Sequence, residues 1–319
     1  MPNGAVRNYV RNEFEARELE IRAKPRSLRP FYQGRVTISE VLRELLGRDY
    51  RYITTEFGFG LSLNGTAQLA EVSERFASKL RYLYIHKYSK PWLRPAEALD
   101  CSVLSRLSNL RGLSIGYLLD SHNASAIEDL ASLQYLSLAW HVDETIKLEK
   151  LRCLRELSIL SSPFLEDVWR LNRLEKLAVD HHRHTTLEVA ANLTSVEKLT
   201  IGESATLKSL KGIGELPRLR FLALNGIGKL KSLTSISSAT ALEYLLIDKC
   251  SRLESVDELA DVPNLKYLEI RDCPSLKSVV PFAGRSNLTH VFFMGRTRPD
   301  RPIEEIVKNL PKLQFYFGP

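Results

Sequence analysis

The sequence predicts a curved α/β solenoid, a horseshoe with a parallel β-sheet on its concave face. Short turns and 3-10 segments should line the convex face, and a small cap should close the N-terminal end. Three observations predict this. A six-residue apolar pattern recurs ten times, its spacing settles at 23 residues, and the stretches between copies are too short for long helices.

The pattern is L-x-x-L-x-L, with Ile, Val or Phe allowed. It opens at Leu80-Leu83-Ile85 and Leu110-Leu113-Ile115, runs through Leu133, Leu154, Leu174, Val196, Leu219, Leu242 and Leu265, and closes with Leu288-Val291-Phe293. A degenerate eleventh copy is read as Leu313-Phe315-Phe317. The rest of the unit repeats too. Ile247-x-x-Cys250-x-x-Leu253-x-Ser255-Val256 matches Ile270-x-x-Cys273-x-x-Leu276-x-Ser278-Val279, and Pro217, Pro263 and Pro311 each lead into a copy. One unit cannot bury its apolar strand face alone, whereas stacked units can. Ten parallel strands at about 4.8 Å give an inner wall of roughly 48 Å.

This pattern resembles the leucine-rich repeat family over about residues 80–317, in the flavour found in cytosolic immune receptors and bacterial repeat proteins. The resemblance implies a leucine-rich repeat solenoid that binds a protein partner, in immunity, effector action or toxin neutralisation. The chain departs from the commonest form, which carries Asn at the ninth position of the unit. Here that position holds Tyr88, Leu118, His141, Ser162, His182, Ser204, Ile227, Cys250, Cys273 and Arg296. Without an asparagine ladder, the middle repeats should stack less regularly.

The ends divide the chain into three parts. Residues 1–35 form a basic N-terminal segment, helical or partly disordered, and residues 36–79 an α/β cap. Residues 80–319 form the repeat domain, with its own cap at about 300–319. Thr37 and Glu40 have capping-box spacing before Val41, Leu42, Leu45 and Leu46. Residues 50–63 alternate apolar and small side chains, as one or two strands do. A helix is expected at 66–78 with Leu69, Val72 and Phe76 on one face. Ile303, Ile306, Val307 and Leu310 predict a last helix.

Strand alternation turns the third, fifth and seventh positions away from the core, onto the concave wall. Two aromatic groups fall there or at the eighth position: Tyr82, Tyr84, Tyr117, Tyr135 and Trp140, then Phe221, Tyr244, Leu246, Tyr267 and Phe292. Tyr also favours strands, where neighbouring rings can cover one another. Large rings on a wall facing water are nevertheless the composition of interface anchors. Arg81 and Lys87 stand beside the first group, so that end is expected to suit an acidic segment of the partner.

Charge bears on the partner class. The chain carries a formal net charge of +7, but the wall and its margins hold ten basic and nine acidic residues. A nucleic-acid groove needs a dominant basic stripe, which the wall lacks. The alternative reading is nucleic-acid or acidic-ligand binding through the N-terminal segment and first repeats, since residues 1–49 hold ten Lys and Arg against seven Asp and Glu.

No catalytic set is expected. The phosphate loop, nucleophile elbow and HExxH patterns are absent, and residues 1–79 contain neither His nor Cys. Asp180, His181, His182 and His184 have the composition of a metal site, but strand alternation splits their directions, and His141 lies roughly 10 Å from His182. A solvated polar turn is the expectation there, with no cofactor. Cys250 and Cys273 occupy one position in adjacent repeats and are expected as buried thiols. No apolar run is long enough to span a membrane, and Met1–Glu20 lacks the apolar core of a secretory signal, so a cytoplasmic location is expected.

Overall fold

The computed structural model describes residues 51–55, 58–64, 69–70, 72–73, 77, 80–86, 98–116, 121–139, 142, 144–277, 279, 287–308 and 310–318. The readings of residues 1–50, including the capping box at Thr37, lie outside these, as do those of Phe76, Lys87, Tyr88, Tyr117, Leu118, Trp140 and His141.

The alternation at 50–63 becomes an antiparallel hairpin, β1 (Arg51–Thr55) and β2 (Gly58–Asn64). Strand β2 pairs in parallel with β3 (Tyr82–His86). A two-residue strand, β4 (Leu99–Asp100), precedes β5 (Gly112–Gly116), and another, β6 (Ser121–His122), precedes β7 (Tyr135–Ala139). The chain continues through β8 (Glu156–Leu160), β9 (Lys176–Asp180), β10 (Lys198–Gly202) and β11 (Phe221–Asn225). It ends with β12 (Tyr244–Asp248), β13 (Tyr267–Arg271), β14 (His290–Met294) and β15 (Phe315–Phe317). Thirteen of these strands form one sheet, parallel after β1, while β4 and β6 pair separately.

The leucine pattern dictates this sheet. All thirty inward positions of the ten copies are at most 3% exposed, so the reading of which face is core holds in every copy. Burying each such side chain is worth about 2 kcal/mol, an upper estimate because the unfolded chain is already partly compact. The return segments carry short 3-10 turns, such as Cys101–Arg106, Leu148–Lys150 and Ile213–Glu215, which aim Leu104, Leu148 and Ile213 at the back of the same core. Ile303–Val307 forms the expected last helix, and Leu69 and Val72 are buried in helical residues.

In the middle, strands β8 to β11 pair residue for residue, although β8, β9 and β10 follow one another at shorter spacings, while β7 and β8 pair only from Tyr135 to Leu138. Other side chains do the work of an asparagine ladder. Ser162 donates to the Val142 carbonyl, Ser204 to the His182 carbonyl, and the Cys250 and Cys273 thiols point at the carbonyls of Asp248 and Arg271. All four cysteines are free, and Cys250 and Cys273 are buried. In the tenth copy Thr297, not Arg296, takes the inward place and accepts from the Cys273 amide.

Candidate binding surface

The sheet register assembles the concave wall as two rows. The third-position row runs Tyr82, Gly112, Tyr135, Glu156, Lys176, Lys198, Phe221, Tyr244, Tyr267, His290 and Phe315. The fifth-position row runs Tyr84, Ser114, Ser137, Ser158, Ala178, Thr200, Ala223, Leu246, Glu269, Phe292 and Phe317. Side chains in one row stand about 4.8 Å apart, close enough for rings to cover one another.

Several do so, which corrects an expectation. Tyr82, Phe221, Tyr267 and Phe292 are buried rather than standing in water. Tyr267 and Phe292 form a cluster of their own, outside the leucine core, so these two rings still belong to the concave face.

At the N-terminal station the rings of Tyr82 and Tyr135 approach to 6.1 Å although Gly112 stands between them in the row. A residue with no side chain lets the two rings close over the gap. Tyr84 and Tyr135 are half-buried. Burial pushes the Tyr135 phenol up to about 12 and the Tyr82 phenol well above the usual phenol range, so both are neutral hydrogen-bonding groups near pH 7. Arg81 reaches the Asn109 carbonyl at 3.4 Å. Lys87, Tyr117 and Trp140 lie outside the described residues.

The middle of the wall is polar and flat. Lys176 bridges Glu156 at 2.8 Å, and the fifth-position row beside it holds only Ser158, Ala178 and Thr200. The lower margin is paired as well: Arg155 with Glu175 at 3.6 Å, and Glu243 with both Arg220 at 2.7 Å and Lys266 at 3.1 Å. These pairs leave no track of free cations across the described wall for a phosphate backbone to follow.

At the C-terminal station Tyr267 is the hub. Its ring lies 6.3 Å from Tyr244, 6.0 Å from His290 and 5.3 Å from Phe292, and Phe292 lies 5.6 Å from Phe315. Leu246, Met294 and Phe317 pack against it. The Tyr267 hydroxyl donates to Glu269 at 2.7 Å, and Glu269 in turn accepts from Arg271. Sequence reasoning missed His290, Met294, Phe315 and Phe317 as members. For the last two the reason is register. Phe315 pairs with His290 and Phe317 with Phe292, which turns both outward, while Tyr316 takes the inward place and remains 41% exposed. The degenerate eleventh copy was therefore read one residue out of phase; the Gln314 and Phe315 amides both donate to the Thr289 carbonyl, which sets its phase.

The upper margin turns sharply. The residues just after the strands, His181, Glu203, Gly226, Lys249, Asp272 and Gly295, all have positive φ. The Asp180 carboxylate lies over Gly202, where a Cβ would sit only 1.9 Å from its Oδ1. Burial holds the Asp180 carboxyl above its ordinary range, with His181 pulling it down and Glu203 pushing it up. A raised native value means the folded chain holds the proton more tightly, so this carboxylate destabilises at neutral pH and the penalty fades as pH falls through that value. Asp180→Asn should therefore melt above the wild type at pH 7, with the gap closing by pH 3. A variant melting below the wild type at pH 7 would show that the ionised carboxylate stabilises the turn.

Comparison with solved structures agrees with this geometry. An internalin, InlF of Listeria monocytogenes, superposes with a TM-score of 0.51 over 81% of this chain and 79% of that one, at 18% identity. The chain is a leucine-rich repeat solenoid. A leucine-rich repeat protein of Leptospira interrogans is similar at 16% identity and a TM-score of 0.45, over 80% of this chain, which spans 57% of that one. No family model matches the solenoid's sequence, and no curated protein sequence does either. Among its described residues no group of three His, Cys, Asp or Glu is placed to hold a metal ion, and no helix is long and apolar enough to cross a membrane.

Proposed function

We propose that this solenoid is a non-catalytic interaction module that binds a partner protein along its concave wall. The carrying observation is the wall itself. An in-register sheet presents two aromatic stations separated by a flat stretch of small side chains and paired ions. A fixed surface has little conformational entropy to lose on binding. Half-exposed rings at the station margins, Tyr84 and Tyr244 with Leu246 beside it, offer apolar area with a polar tip. At the C-terminal station the buried rings of Tyr267 and Phe292 pack against Tyr244 and Leu246, and Tyr82, Tyr135 and Phe221 complete the same rows. The four free cysteines support a reducing, cytoplasmic location.

The test is capture with the wild type beside a Tyr84→Ala/Tyr244→Ala double variant whose thermal midpoint has first been checked. Loss of anchors of this kind should weaken a wall-bound partner about tenfold or more. Equal recovery of every partner by both proteins would refute the choice of surface. Salt-sensitive retention of both proteins alike on heparin would point instead to nucleic acid.

A further inference from the structure

The ninth position of the unit points inward, and in the described repeats around it that place is filled by Ser162, Ser204, Ile227, Cys250 and Cys273. One repeat puts an ionisable ring there. His182 is 1% exposed, whereas the sequence led us to expect a solvated turn. Three consecutive repeats meet around it. The preceding return segment, Pro163–Arg170, supplies Trp169, whose ring stands edge-on at 5.4 Å, and Glu166. His184 on the same turn lies 5.4 Å away and pairs with Glu166 at 3.2 Å. The following repeat supplies hydroxyls. Ser204 and Thr206 donate to the His182 carbonyl at 2.7 and 2.6 Å.

The hydrogen bonds fix the proton. The Nε2 atom of His182 lies 3.3 Å from the Thr186 carbonyl, which only accepts, so Nε2 carries the hydrogen. Nδ1 is enclosed and has no hydrogen-bond partner. A second proton must go there, where it is enclosed and no protein acceptor stands within reach.

We propose that His182 is a pH-sensitive latch. While its ring is neutral, the turn at residues 181–187 stays clamped between its neighbours. A proton on Nδ1 drives the ring outward and loosens the joint between β9 and β10. The physical reason is the cost of an unpaired charge in an enclosed site. The titratable groups facing it are His184, which repels the new charge, and Glu166, already engaged by His184; the following repeat presents only hydroxyls. Burial, with His184 adding to it, holds the imidazole below its ordinary value. The sign follows. The unfolded turn takes up the proton first, so the clamp is complete above about pH 6.5 and weakens as pH falls below that. The joint lies just past the paired strand ends at Asp180 and Gly202, in the stretch of the sheet between the two aromatic stations.

Amide exchange on the full chain tests this, read as protection factors so that intrinsic pH dependence is removed. Amides in the turn at 181–187, His181 above all because it donates to the Gly202 carbonyl, and at Leu207 should lose protection below pH 6.5, by up to about tenfold per pH unit for one proton, while β12 holds. His182→Ser, copying Ser162 and Ser204, should abolish the dependence. His182→Ile, copying Ile227, serves the same purpose should the serine variant fail to fold. Wild-type protection that does not change with pH, an equal loss in β12, or the same dependence in the variants would overturn the proposal. So would an NMR midpoint for His182 at or above the free value, since the enclosed site would then hold the cation rather than expel it.

Discussion

Gly212→Ala is expected to cost about 3 kcal/mol, the sum of strain in a forbidden backbone region and forced overlap. Gly212 sits at φ +98°, where an L side chain rarely goes. A Cβ there would lie 2.5 Å from the Glu188 nitrogen and 2.6 Å from the Leu187 carbonyl carbon. Both are backbone atoms, so no rotamer change relieves the clash. The turns are drawn this close by the Leu187 amide, which donates to the Lys211 carbonyl at 2.8 Å. Gly226→Ala is the control. It shares the positive φ, but its Cβ would come closest to the carboxylate end of the Glu203 side chain, at 3.1 Å, with the Glu203 Cα at an ordinary 3.5 Å, and about 1 kcal/mol is expected. Urea midpoints of the two variants decide the matter. Equal shifts would mean that conformation alone, not the approach of neighbouring turns, makes glycine necessary at 212.

Phe292→Ala should cost roughly 3–5 kcal/mol, as deletion of a buried aromatic ring usually does. Phe292 is 2% exposed, and its ring touches Tyr267, His290 and Phe315 in three successive strands. Tyr244→Ala should cost about 1 kcal/mol or less, because Tyr244 is half-exposed at the margin of the same cluster. The contrast separates two jobs on one face, holding the terminal repeats together and presenting a surface. Thermal melts measure the first and partner binding the second. A mild Phe292→Ala effect would show that the C-terminal station is loosely packed and free to adapt to a ligand.

The aromatic wall shows where sequence reasoning reaches its limit. That Tyr135 and Tyr244 face the hollow was legible from alternation, because neighbouring side chains on a strand point to opposite sides whatever surrounds them. That Tyr82 would reach Tyr135 over Gly112 was not, because it depends on which residues stand one and two strands away. Phe315 and Phe317 were misplaced by one residue because the aromatic alternation was read as the inward set, whereas the pairing with β14 puts Tyr316 opposite Val291. His182 was read as solvated because its own strand ends there. Its burial is imposed by Trp169 from the repeat before and by Thr206 from the repeat after.

The sequence by itself determined the solenoid and the face that each of the ten repeat strands turns inward. These follow from short-range periodicity, which any stack of identical units must satisfy. Only the tertiary structure decided which rings remain open to a partner, how the eleventh strand is phased and where an imidazole is trapped. Each of those depends on contacts between residues distant in the chain but one or two strands apart in space.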